Sequence, residues 1–213
     1  MQSPLVDTIS MSEAQKIMGE SFVDPITTAI CFGIDRAVVD LLGDVPFSHD
    51  DLRRYVGTHV LFAGYPITFT EIRKRYPHLF AAKERPWYEA GPIVDFMPLS
   101  YGWYILRKDP LSEDIACMTH EYVNLIPRSH FLPTVCEIAF ACTLFYSVRN
   151  MRLFKNAYGR TVDRARNGED VAAGDFDEAG LGIIPFHAGH NDSDVGFSEI
   201  RRHRILTVDQ TQG

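Results

Sequence analysis

The stretch from residue 132 to 148 constrains this chain most. Leu132-Pro133-Thr134 opens it, and Val135, Ile138, Ala139, Cys142, Leu144, Phe145 and Val148 put apolar side chains on most of the circumference of a helix. Such a helix is stable in water only when other elements cover it on nearly every side, so it is expected to be the most buried element of the fold. Pro133 suits the first helical turn, where a missing N–H costs nothing. Downstream the pattern changes to short β-prone segments, 158–162, 171–173, 181–186 and 195–205. Asn167-Gly168, Gly174-Asp175, Ala179-Gly180 and Asn191-Asp192 separate them with turn chemistry. A buried helix followed by such strands predicts an α+β protein, with the helix laid on a small antiparallel sheet. With 213 residues, 46% of them apolar and 12% aromatic, the chain has the material for one good core or two small ones.

The first 80 residues read as mainly helical. Ser10-Met11-Ser12-Glu13 has the spacing of a capping box and predicts a helix to about residue 21, stopped by Asp24-Pro25. Ile30, Ile34, Val38 and Leu41 predict a second helix over 26–42, ended by Gly43. Ser48 with Asp50 and Asp51 caps a short helix through Tyr55, and a strand follows over 58–63. Thr68-Phe69-Thr70-Glu71 is a second capping box whose helix ends at Tyr76 before Pro77. Residues 81–99, rich in Pro, Gly and aromatics, read as an irregular connection. It divides a mainly helical part, 1–85, from an α+β part, 86–213. The second part begins with a strand over 102–107, broken by Asp109-Pro110, and a helix from Ser112 and Glu113 toward Asn124 that stops at Ile126-Pro127.

Charge and cysteine usage narrow the class. The 21 basic and 28 acidic residues give a net charge of −7, which repels a phosphate backbone and argues against nucleic acid as a partner. Arg201, Arg202, His203 and Arg204 form a local basic cluster, expected to alternate across a terminal strand and face water or acidic neighbours. Cys31, Cys117, Cys136 and Cys142 lack CxxC spacing and sit among apolar residues, as small buried hydrophobes in a reducing compartment do. Residues 1–7 carry no basic region followed by an apolar run, and no apolar stretch approaches bilayer length. A cytoplasmic location with no membrane partner is expected.

The densest cluster of polar functional groups is His187-Ala188-Gly189-His190-Asn191-Asp192-Ser193-Asp194. Two imidazoles and two carboxylates could ligate a divalent ion, but the spacing matches no established site, and the same residue types build turns and ligand-contacting loops. His120-Glu121-Tyr122-Val123-Asn124 begins like the zincin helix but carries Asn where the second imidazole must stand. No nucleophile elbow surrounds a Ser, no Cys has an activating neighbour, and no Gly-rich phosphate cradle is present. Neither catalysis nor a cofactor is expected. Trp87-Tyr88, Trp103-Tyr104 and Phe145-Tyr146 read as core and sheet-face aromatics.

Leu132-Pro133-Thr134 with Glu137, Phe140 and Ala141 is similar to the helix-opening motif of the formylglycine-generating-enzyme type of C-type-lectin-like domains. Val195-Gly196-Phe197 followed by Arg201 looks like that group's terminal strand, and residues 176–194 resemble the variable loop of the retroelement-diversified proteins that share the fold. The family's central Gly-Asn-Val-Trp-Glu-Trp phrase is missing and no Cys follows Cys142. The resemblance therefore implies the lectin-like fold and its binding loop, and not formylglycine synthesis. The resulting expectation is a cytoplasmic module that binds a protein or other polar ligand. Phe186 would be its anchor, His187, His190 and Asn191 its adaptable partners, and Asp192 and Asp194 its acceptors. One alternative is a metal-dependent hydrolase with His187, His190 and Asp192 as ligands. Another is a structural component of a larger assembly that uses residues 86–103 as its interface.

Overall fold

The computed structural model describes residues 7–81, 97–111, 130–186 and 194–205, and every α-helix among them starts at a side-chain oxygen that accepts a first-turn amide. Ser10, Thr68 and Thr134 form full capping boxes with Glu13, Glu71 and Glu137, opening α1 (Met11–Met18), α5 (Phe69–Arg75) and α6 (Val135–Arg149). Asp24, Asp35 and Ser48 cap α2 (Pro25–Phe32), α3 (Arg36–Val39) and α4 (His49–Tyr55). Each cap satisfies an amide that has no acceptor within its own helix. Pro133 lies just before the cap of α6 rather than in its first turn, because Thr134 takes the capping position.

The helix expected over 26–42 is two helices. Gly33 ends α2 in the left-handed region at φ 64°, and its amide reaches back to Ala29 and Ile30 carbonyls. The left-handed backbone is what calls for glycine, since the group a Cβ would meet, the Arg75 guanidinium at 2.6 Å, is the movable end of a long side chain. The apolar spacing that suggested one helix does not mark a buried face: Ile30 and Leu41 are exposed, while Phe32 and Val39 are buried.

Two four-stranded sheets are present among the described residues. The first has the order β1 (Phe22–Val23), β2 (His59–Gly64), β3 (Gly102–Arg107) and β8 (Ile200–Arg204), with β1 parallel to β2 and the other pairs antiparallel. In the second, β6 (Gly180–Phe186), β5 (Asp170–Asp177) and β4 (Tyr158–Arg164) are antiparallel and β7 (Val195–Gly196) runs parallel to β4. The single strand expected over 195–205 is thus split between the sheets. A paired bridge between Phe197 and Leu111 and a hydrogen bond from the Ser198 hydroxyl to the Arg160 carbonyl occupy the crossing. β2 and β3 pair over six residues, so the first sheet joins the chain on both sides of residues 85 and 86.

Strand alternation sorts the core into two layers around the first sheet. Leu61, Ala63, Trp103 and Ile105 face Ala14, Met18, Leu52 and Tyr55 of the N-terminal helices. Val60, Phe62, Tyr104, Leu106 and Ile200 face the other way, toward α6. α6 is covered on its far side by Val171, Ala173, Phe176 and Ile183 of the second sheet, and its residues 135–145 are all buried. The chain is therefore α+β, with α6 between two sheets and the helices α1 and α4 on the outer face of the first. The helix expected over 112–124, the near-zincin residues and Cys117 lie outside the described residues, as does most of the segment 81–99. Among the described residues no helix is long and apolar enough to cross a membrane.

Candidate functional site

At one end of the first sheet the apolar stripe facing the N-terminal helices gives way to polar residues. His59 opposes Arg107 across β2 and β3, and the Arg107 amide donates to the Glu199 carbonyl. Three strand ends thus align a histidine, an arginine and a glutamate. Arg201 stands opposite Ile105, and α4 lies over this end with Asp51, Arg54 and Tyr55. Together with Thr58 and His130 they line a cavity of about 400 Å³ whose walls carry no purely apolar side chain.

Hydrogen bonds hold these groups in two linked sets. His59 is buried, with the Thr58 hydroxyl 2.8 Å from Nδ1 and Glu199 Oε1 3.2 Å from Nε2. Tyr55 Oη lies 2.8 Å from His130 Nε2, and the Tyr55 ring packs against both imidazoles at centroid distances of 4.6 and 5.5 Å. Arg107 Nη1 approaches Glu199 Oε1 at 3.5 Å while its Nε donates to the Asp109 carbonyl. Arg201 pairs with Asp51 at 2.9 Å and lies over the Phe47 ring. Asp51 is fixed in turn by the start of α4, where the Ser48 hydroxyl accepts its amide.

The surroundings set the protonation states. The hydrogen bond from His59 holds the Glu199 carboxyl below its usual range against the effect of burial, and the Arg107 charge acts in the same direction. An ionised Glu199 only accepts, so His59 carries a proton on Nε2. Burial pulls Asp51 upward, but the Arg201 hydrogen bond and charge, with help from Ser48, leave it lowered. Burial pushes the Tyr55 phenol up and His130 down, and at His130 it outweighs the opposing pull of the Glu199 and Asp51 charges, with the Arg201 charge on the side of burial. These two shifts favour a neutral His130 accepting the Tyr55 proton at Nε2.

A lowered His130 makes stability depend on pH. The unfolded chain takes up a proton at this residue first as pH falls, so its contribution is present above about pH 6.5 and is lost below it. The melting temperature is expected to fall between about pH 7.5 and 5.5, and to fall less in His130→Gln. Equal slopes in differential scanning calorimetry would remove His130 as the cause.

Neither of the described residues that the sequence assigned to the site, Phe186 and Asp194, lines this cavity. Phe186 is buried in a small cluster with Ala172 and Val195, beneath the Arg160 guanidinium 5.2 Å from its ring. Asp194 is exposed and its carbonyl accepts the Tyr158 amide. His187, His190, Asn191 and Asp192 lie outside the described residues. Among the described residues no group of three or more His, Cys, Asp or Glu side chains is placed to hold a metal. Of the cavity residues, the sequence marked Asp51 as a helix cap and Arg201 as part of the basic cluster and of the terminal-strand resemblance, neither as a site residue. Its sole trace of the site is polar residues at strand ends: Thr58 before β2 and His59 opening it, Arg107 closing β3, and Glu199 before β8. Comparison with family models, curated proteins and solved structures finds no match for the chain.

Proposed function

We propose that this protein is a ligand-binding module whose site is the polar cavity between α4 and the end of the first sheet. The observation that carries this reading is the cavity's wall: imidazole, phenol, hydroxyl, guanidinium and carboxylate groups around about 400 Å³, held in place by one another. That volume suits a small polar molecule. The groups sit on rigid strand ends and a capped helix, which gives a ligand preorganised partners. The ligand-binding character expected from the sequence is kept, and its place is moved from the loop to the cavity. The likeness to C-type-lectin-like domains belongs to the same proposal, supported by a capped apolar helix packed on a sheet of short strands.

A plug variant tests the location. Thr58 is exposed at the cavity and its replacement by Trp fills space without removing a charge. In a thermal-shift panel of sugars, nucleosides, amino acids and organic acids, at least one compound is expected to raise the parent's melting temperature and to lose that effect in Thr58→Trp. A shift that survives the plug but disappears in Asp194→Ala would assign the site to the loop that ends at Asp194.

A further inference from the structure

We propose that the ligand of this cavity is a small oxyanion, a phosphate monoester or a carboxylate, received by the Arg54 and Arg107 guanidinium groups; this rests on the cavity being the binding site. The charge balance of the wall carries the inference. Among the described residues Arg54, Arg107 and Arg201 share the wall with two carboxylates, Asp51 and Glu199, an excess of positive charge in a chain whose net charge is −7. A cleft whose sign opposes that of the whole molecule concentrates the opposite ion.

The three arginines are not equally committed. Arg201 is taken by Asp51 at 2.9 Å. Arg107 gives one N–H to the Asp109 carbonyl and stands a long 3.5 Å from Glu199, an arrangement that orients the planar group while leaving most of its donors unused. Among the described residues no acidic side chain pairs with Arg54, which is exposed at the cavity. A guanidinium fork that is oriented but unsatisfied matches the paired oxygens of a phosphate or carboxylate. A cationic ligand would meet the excess positive charge. A neutral one would leave these donors without an anionic acceptor.

The test follows the His59 and His130 ring C–H signals by ¹H–¹³C NMR while inorganic phosphate or succinate is added to the whole protein, with sodium chloride at matched ionic strength as the control. Saturable shifts of these signals with phosphate, succinate or both, absent with chloride, are expected, and the tighter of the two identifies the source of the oxyanion. Arg107→Gln and Arg54→Gln are each expected to weaken binding at least about tenfold. Arg164→Gln, which removes the same charge from an exposed arginine at the end of β4 that pairs with Asp170 of β5, is expected to leave it unchanged. Shifts produced by glucose or adenosine but by neither anion would overturn the oxyanion assignment and leave the cavity as a site. Equal weakening by Arg164→Gln would reduce the effect to net charge and also overturn it. Silence toward all four compounds would overturn both readings.

Discussion

Glu137→Ala is expected to destabilise the protein by about 3–5 kcal/mol, the usual cost of leaving one charge of a buried pair without its partner. Arg202 Nε and Nη2 lie 2.5 and 2.6 Å from the two Glu137 oxygens, with little solvent on either side chain. The same carboxylate accepts the Thr134 amide at 2.7 Å and closes the capping box of α6. One residue therefore starts the central helix and ties β8 to it. Urea denaturation measures the loss. The double variant Glu137→Leu/Arg202→Leu, which removes both charges, is expected to be more stable than Glu137→Ala despite its second substitution. If Glu137→Ala stays within about 1 kcal/mol of the parent, the pair does not hold the sheet on the helix.

Phe140→Ala is expected to cost about 3–5 kcal/mol as well, for a different reason. Phe140 is fully buried in α6, stacks on Phe32 of α2 at 4.1 Å and meets Phe62 of β2 at 5.8 Å. It is where the N-terminal helices, the first sheet and the central helix come together, and each of these neighbours is itself buried and held elsewhere. The hole left by the ring has little freedom to collapse, so the cavity term adds to the lost transfer energy. Phe140→Leu, which keeps most of the volume, is expected to recover more than half of the loss in the same denaturation experiment. A Phe140→Ala variant with an unchanged urea midpoint would mean that α6 is not the centre of the core.

Much of the fold was legible because its causes are local. The capping boxes at Ser10 and Thr68 and the cap at Ser48 act through bonds between residues a few positions apart, and short runs rich in apolar and aromatic residues mark β2 and β3. Circumferential apolarity announced α6 as the buried helix. Errors arose where local signals competed. The apolar spacing over 26–42 outweighed Gly33 in the reading, whereas in the chain a left-handed glycine followed by an Asp cap ends one helix and begins another. The break between β7 and β8 follows from pairing with two different sheets, which no residue near 197 encodes alone.

The sequence by itself determined the α+β class, the helix starts, the central helix and the acidic charge balance, because each is a sum over residues or an interaction within one turn. Only the tertiary structure decided where a ligand could sit. His59 and Glu199 are separated by 140 positions and become neighbours through the register of β2, β3 and β8, while α4 closes the cavity from above through Asp51 and Arg201. The basic cluster shows the same division. Arg201 and Arg202 read alike in the sequence, yet strand alternation sends one to Asp51 beside the cavity and the other to Glu137 inside the core.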